Sequence, residues 1–342
     1  MKAGALLSLA VNFVLLRRSS AFCSSSIVIS NTRLRSHQDA PTTDLLADLM
    51  QEEEDEETTS QRNLRFAGVG RLYAQEATAD ESNELDPHLQ IVERLHQSTV
   101  AVIGLGGVGS WAAEALCRSG VGNLILIDLD DICISNTNRQ LHATSASVGQ
   151  MKIDEMRRRL IQINPQCSVT NLHEFITESN VHEILDGLLP DVDVVLDAID
   201  SRMAKTALIA ACVEKKITIV TCGGAAGKKD PGQIIADDLA RVNGDVLLSS
   251  VRTHLRKYYG FSEGVKFRHL NSKLPKKWRI PAVYSTEPTK ELPEGQDKVG
   301  GLRRCDGALG TACFVTGTFG FVAAGKVVDM IATNKLARPR KS

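Results

Sequence analysis

The sequence lacks the paired cysteines that would tie it together through metal or disulfide. Its eight cysteines, Cys23, Cys117, Cys133, Cys167, Cys212, Cys222, Cys305 and Cys313, stand singly and form no CxxC pair. That excludes the dense bridging of small secreted folds and argues against a structural zinc. Most lie in apolar context, where cysteine acts as a small buried hydrophobe. Internal repeats are absent as well, and so is an uninterrupted apolar run of the ~20 residues needed to cross a bilayer. Residues 3–16 are apolar for only fourteen positions, and the run 309–332 is broken by Lys326, Asp329 and four glycines. This second run reads as a buried helix, expected at a dimer interface. A strong net charge is missing too, with 40 Lys and Arg against 41 Asp and Glu. The average hides an uneven distribution. Residues 1–60 hold five basic and nine acidic side chains, whereas 252–304 hold thirteen basic and five acidic ones. The basic stretch is therefore read as a separate surface.

Composition divides the chain into five parts. Residues 1–35 read as a targeting leader: Lys2, the apolar core, Arg17 and Arg18, then a Ser-rich and acid-poor segment. Ala21-Phe22 at the end of the apolar core resembles two-part plastid leaders, with a mitochondrial presequence as the alternative. Residues 36–60 read as an acidic disordered linker, because the six acids Glu52 to Glu57 repel one another and bury nothing. An N-terminal helical segment over 61–98, a nucleotide core over 99–250 and a basic C-terminal region over 251–342 follow. Within the N-terminal segment, 76–90 reads as an insertion.

The core announces itself at Thr99. A β-branched run, Thr-Val-Ala-Val-Ile, leads into Gly104-Leu-Gly106-Gly107-Val-Gly109 and then a helical pattern beginning Ser-Trp-Ala-Ala. Strand, glycine turn and helix in this order let backbone approach phosphate and helix approach strand. A second strand, Leu124–Ile127, ends in Asp128, placed to reach a ribose hydroxyl. Apolar runs at 168–172, 192–196 and 217–221 alternate with helical patterns at 149–163, 179–188 and 202–216. This rhythm predicts an α/β fold: a doubly wound, mostly parallel, Rossmann-like sheet with helices on both faces and a C-terminal extension.

Charged residues beyond the glycines decide the ligand. Asp128-Leu-Asp130 is followed by Ser135-Asn136-Thr-Asn138-Arg139-Gln140, by Lys152, and by Asp197-Ala-Ile-Asp200. A redox dinucleotide has little use for the Arg, the Lys and a second acid. An adenylating enzyme needs cations for the triphosphate and a carboxylate for Mg2+. The set GxGGxGS, DLD, SNxxRQ, GxxK and DxxD resembles the adenylyltransferase superfamily of ubiquitin-activating enzymes and bacterial sulfur-carrier activators. The resemblance implies ATP and Mg2+ as cofactors, with Gly104, Gly106, Gly107 and Gly109 at the nucleotide. It places Asp128 and Asp130 on ribose, Asn136, Arg139 and Lys152 on the phosphates, and Asp200 on the metal.

Further segments narrow the likeness. Trp111, residues 136–142, Thr-Cys-Gly-Gly-Ala-Ala-Gly at 221–227, Tyr-Ser-Thr-Glu-Pro at 284–288, Val-Thr-Gly-Thr-Phe-Gly-Phe-Val at 315–322 and the opening run 61–73 resemble the tRNA threonylcarbamoyladenosine dehydratase family. That family implies ATP-dependent cyclisation of N6-threonylcarbamoyladenosine beside the tRNA anticodon, through an acyl adenylate. Arg139, Lys152 and Asp200 would be catalytic, and Arg71 would reach the partner's triphosphate in a homodimer. Bacterial members often carry a Cys just before the YSTE-like motif, where Pro281-Ala282-Val283 stands here. This removes the thiol that a cysteine-desulfurase-linked sulfur partner would use. The competing class is an activator of the C-terminal glycine of a ubiquitin-like or sulfur-carrier protein, which would want a crossover Cys where Ala282 stands.

Between Tyr258 and Tyr284, aromatic residues alternate with Lys and Arg. Aromatic faces for unpaired bases among cations for phosphate suit an anticodon loop. Lys276, Lys277, Trp278 and Arg279 are the candidate RNA-binding residues.

Overall fold

The structure, a computed structural model, describes residues 42–75, 85–262, 276–288, 309–336 and 338–341, with side chains from Thr58 onward. The leader, and Lys266, Phe267, Arg268 and Lys273 of the basic stretch, lie outside the described residues. The chain divides into two units, Met1–Glu53 and Glu54–Ser342, and of the first only the helical backbone from Thr42 is described.

Helix α1, Thr42–Tyr73, takes in residues 42–60 of the expected linker, which corrects the reading of that part as disordered. Glu, Leu, Ala, Met and Gln lose little rotamer freedom in a helix, and this local preference outweighs like-charge repulsion of a few tenths of a kcal/mol per pair. Its C-terminal part is anchored by buried Phe66, by the Arg62–Glu93 ion pair, and by Arg65 donating to the Ile163 carbonyl at 2.8 Å. A Cβ on Gly120, at φ +95°, would meet Phe66 at 3.1 Å. Helix α2, Pro87–Gln97, begins with Pro in the first turn, where no N–H is needed. It occupies the end of the stretch read as an insertion.

The alternation of short strands and helices then proceeds as expected: β1 (Thr99–Ile103), α3 (Gly109–Arg118), β2 (Asn123–Ile127), α4 (Lys152–Ile163), β3 (Ser168–Leu172), α5 (Val181–Leu188), β4 (Val194–Asp197), α6 (Arg202–Lys215) and β5 (Thr218–Cys222). Beyond them lie β6 (Ile234–Asp238), α7 (Val246–Tyr259), β7 (Pro281–Ser285) and α8 (Cys313–Ala332). The seven strands are ordered β3-β2-β1-β4-β5-β7-β6. All pairs are parallel except β6 with β7.

Period two is visible in β1. Val100 and Val102 join a core with α3, α4 and α8, whereas Ala101 and Ile103 join one with α5, α6 and α7. A sheet buried on both faces explains why the strands read as near-continuous apolar runs.

One expectation changes here. The division at 250 falls inside α7, and β7 returns from beyond it to pair with β5, Thr221 facing Ala282 and Cys222 facing Val283. The nucleotide core and C-terminal region are therefore one structure, because a strand can join a sheet from any distance in sequence. Helix α8 is buried, as its apolar run was read, and packs on its own chain. A Cβ on Gly320 would lie 2.7 Å from the Val108 carbonyl oxygen and 2.9 Å from the Ala112 nitrogen of α3. The glycines that weaken α8 alone are what let it lie against α3. Among the described residues it is the one helix long and apolar enough to span a membrane, and most of it is buried in protein. Phe314 and Phe321 remain exposed on it.

The candidate adenylation site

The C-terminal ends of the parallel strands surround a cavity of about 1350 Å³, lined by the glycine turn, the acids after β2, the 136–140 turn, Lys152, residues 174–179 and the loops after β4 and β5. This is the crevice where an open α/β sheet binds ligands. The glycines divide the labour. Gly104 turns the chain at φ +89°, and a Cβ on Gly109 would sit 1.8 Å from the Gly104 carbonyl oxygen, so only glycine seats α3 against β1. Gly106 faces open space, with nothing within 4 Å of its would-be Cβ. Backbone N–H groups at the start of α3 are thus accessible to an anion.

Asp128 is buried beside this turn and accepts from the Leu105 N–H at 2.6 Å and the Asp130 N–H at 2.8 Å. Burial pushes its carboxyl above the ordinary range, against the pull of Lys152 and both donors. Lys152 is buried and donates to Asp130 Oδ2 at 2.8 Å. The residues assigned to phosphate and to ribose are here each other's partners. Asn136 is buried in a 3-10 turn and accepts from the Cys133 N–H at 3.0 Å, shaping the loop that carries Arg139. Arg139 donates to the Ser135 carbonyl at 2.8 Å and to Asn138 Oδ1 at 2.9 Å, and its own carbonyl accepts from Trp111 Nε1 at 3.0 Å. Trp111 therefore fastens the arginine loop to α3. Asp200 is exposed on the loop after β4, at the cavity wall.

Beneath that loop, Lys205 and Asp197 are wholly buried and paired at 2.7 Å, and Thr221 Oγ1 donates to the same Asp197 oxygen at 2.7 Å. Asp197 Oδ1 also accepts from the Ile199 N–H at 3.1 Å. A buried pair therefore shapes the turn that presents Asp200. Pairing and hydrogen bonds on both sides make such burial tolerable.

The cavity continues into a second lobe along 222–226, Leu247, Gly310, Thr311 and Thr316. Asp245 caps α7 at Leu248 and with its other oxygen accepts from the Gly224 N–H at 3.0 Å. A Cβ on Gly223 would meet that oxygen at 2.3 Å, so glycine at 223 is dictated by contact with this cap. Glu287, from the YSTEP run, accepts from the Lys229 and Asp230 N–H groups, both at 2.9 Å, and holds the following turn. Motifs that attracted notice as signatures act here through backbone.

Several lining residues were not singled out in the sequence. Gln140 Oε1 and Thr311 Oγ1 are buried without a hydrogen-bond partner among the described residues, and both residues line the cavity. Gln140 stood in the SNxxRQ run, which was the available signal; Thr311 had none. Cys222 also lines the cavity, but burial pushes its thiol up to about 12, so it is not a nucleophile. Ala282 lies buried inside β7, paired with Thr221, rather than in a loop.

Other candidates lie elsewhere. Arg71 is exposed on α1 and lines a separate recess with Asn63, Leu64, Ala67 and His88. Lys276, Lys277 and Arg279 are exposed, but Trp278 is not: at 1% exposure it packs edge-on against Phe261 and donates from Nε1 to Ser262. Phe261 and Tyr284 are buried too. This corrects the reading of Trp278 as a base-stacking residue. Phe261, Trp278 and Tyr284 are thus turned into the core, with Lys276, Lys277 and Arg279 left outside, while Tyr258 stays exposed.

A model of the ThiF family matches residues 76–337. The chain is 41% identical over 273 residues to a tRNA threonylcarbamoyladenosine dehydratase of Haemophilus influenzae, covering 79% of this chain and 94% of that one. It is 40% identical over 268 residues to the enzyme of that name from Escherichia coli, covering 76% and 90%. The crystal structure of the Escherichia coli tRNA N6-threonylcarbamoyladenosine dehydratase in complex with ATP superposes with a TM-score of 0.65 at 36% identity, covering 80% of this chain and 95% of that one.

Proposed function

The chain belongs to the ThiF family, and from that premise we propose that it catalyses ATP-dependent cyclisation of N6-threonylcarbamoyladenosine in tRNA. The observation that carries the reading is the cavity. It joins a phosphate-binding glycine turn, Arg139, Lys152 and Asp200 to a second lobe, and at about 1350 Å³ it exceeds the roughly 300–1,000 Å³ usual for one small ligand. ATP takes the glycine end, and the modified nucleoside takes the lobe at 222–226.

The threonyl carboxylate attacks the α-phosphorus and pyrophosphate leaves. The neighbouring carbamoyl group then closes on the acyl carbon, losing a proton as AMP departs. Arg139 and Lys152 stabilise the phosphate charge that develops. Ring closure is intramolecular, so an effective concentration on the order of 10⁵ M or more replaces a protein nucleophile. The Cys222 thiol, held neutral by burial, is consistent with that.

Among the described residues no cluster of three metal-ligating side chains occurs. A single carboxylate, Asp200, fits Mg2+, which commonly takes one or two protein carboxylates alongside phosphate oxygens and water. When bound there the ion neutralises triphosphate charge. Arg71 lines a recess separate from its own chain's cavity, which fits supply to a partner's site in a homodimer. Mixing Arg71→Ala with Asp200→Ala protein should restore activity through heterodimers with one complete site. No rescue despite subunit exchange rejects supply in trans. For the leader over 1–35 we propose delivery to a plastid or mitochondrion, tested by where a tagged full-length chain accumulates.

The deciding experiment is nucleoside mass analysis of tRNA incubated with protein and ATP. The expected product is lighter by one water, with AMP and pyrophosphate released. Unchanged tRNA together with adenylation of a carrier protein's C-terminal glycine would overturn the reading.

A further inference from the structure

The last residues of the chain are built into the basic segment. After α8, Asn334 adopts φ +54° and the Lys335 N–H returns to the Met330 carbonyl at 2.8 Å, which turns the chain back along the protein. Pro339 is buried. The Arg340 N–H donates to the Trp278 carbonyl at 2.9 Å, Arg340 Nε donates to the Lys277 carbonyl at 3.3 Å, and the Lys341 carbonyl accepts from the Ser262 N–H at 2.8 Å. Buried Asp238 secures the other side, accepting from the Trp278, Arg279 and Ile280 N–H groups at 2.9, 2.7 and 3.3 Å. The side chains left outside are Lys276, Lys277, Arg279, Arg338, Arg340 and Lys341, all exposed and of one sign.

This surface is far from the cavity. β7 runs parallel to β5, whose C-terminal end lines the cavity, and residues 276–279 precede β7 at the opposite edge of the sheet. Val283 pairs with the cavity-lining Cys222, so β7 carries the chain two residues, about 7 Å, from Pro281 to that level. Helix α7 gives a second ruler: it begins at the cavity with Asp245 and Leu247 and ends beside Phe261 after 14 residues, about 21 Å away.

We propose that the C-terminal tail Arg338–Lys341 and the segment Lys276–Arg279 form one basic ridge that binds the phosphate backbone of RNA remote from the reacting nucleoside. The proposal rests on the tRNA reading above and extends it. The ridge reads no bases, since its aromatic residue is in the core, and its contribution is electrostatic. Only a substrate reaching some 20 Å from the cavity engages it, as a folded RNA does and a free nucleoside does not.

The test is binding of full-length tRNA across a salt series by the complete protein, by Arg338→Ala/Arg340→Ala/Lys341→Ala, and by Arg338→Lys/Arg340→Lys. Pro339 and the tail backbone are unchanged in both variants, and thermal melting checks the fold. The alanine variant should bind tRNA at least about tenfold more weakly near 0.15 M salt. Its slope of log affinity against log salt should fall by about two units, at roughly 0.7 per single-strand phosphate contact. ATP affinity should hold, and the lysine variant should retain binding. Wild-type binding matched by the alanine variant at every salt overturns the ridge alone. Absence of tRNA binding by the wild type overturns the RNA reading with it.

Discussion

The two ends of the sheet work differently. At the C-terminal ends of the strands, acids and bases of both signs are buried, oriented by backbone N–H groups and held against one another around a deep cavity. At the opposite end, six cations of one sign stand in solvent on two segments, one held by the buried acid Asp238 and the other by backbone bonds to Trp278 and Ser262. The first end depends on geometry, and a misplaced group there is felt in chemistry or stability. The second depends on charge count, and a lost group there is felt in salt dependence.

The sharpest test of the geometric end is the Lys205–Asp197 pair. Lys205→Met leaves an uncompensated buried carboxylate and should destabilise the fold by about 3–5 kcal/mol in denaturant titration. A loss under 1 kcal/mol would mean that the pair is not the support of the Asp200 loop. Asp200→Ala should leave the fold intact and slow adenylate formation by about 10²-fold or more, as removal of an electrostatic stabiliser does; pyrophosphate release in a single turnover measures it.

His142 tests the same end through pH. Burial and the Lys152 charge lower its imidazole to about 3, so the folded protein resists its protonation. The unfolded chain binds that proton near pH 6.5. Stability is therefore full above that value and lost as pH falls toward 3. Between pH 7 and pH 5 the histidine should account for about 2 kcal/mol of lost stability, and His142→Asn should remove that part of the acid dependence. Parallel urea curves for the two proteins at both pH values would contradict it.

The charge end predicts no such effects. Lys276→Ala/Lys277→Ala should flatten the salt slope of tRNA binding by about one to two units while ATP affinity and unfolding midpoint hold. A change in ATP affinity would blur the division between the two ends. The smallest effect is expected at Cys222, whose neutral thiol has no chemical role in the scheme: Cys222→Ala should change turnover by less than about threefold.

The nucleotide half was legible because its signals are local. Gly104 and Gly109 must be glycine where a strand turns into a helix against its own carbonyl, and β1 to β5 announce themselves by short apolar runs between amphipathic stretches. The basic half was misread because composition does not say which way a side chain points. Trp278 between Lys277 and Arg279 looks like a stacking platform until Asp238 and Phe261, distant in sequence, are found to turn it inward.

By itself the sequence determined the class of fold, the order of its elements and the adenylating character of the site, since periodicity, the glycine turn and the charges beyond it depend on neighbours within a few residues. Tertiary structure alone decided that Lys152 meets Asp130, that β7 and α8 complete the core, and that the tail joins Lys276–Arg279 at the far edge from the cavity. Each of these joins residues 22 or more positions apart, a separation at which pairing is chosen by global packing rather than by local preference.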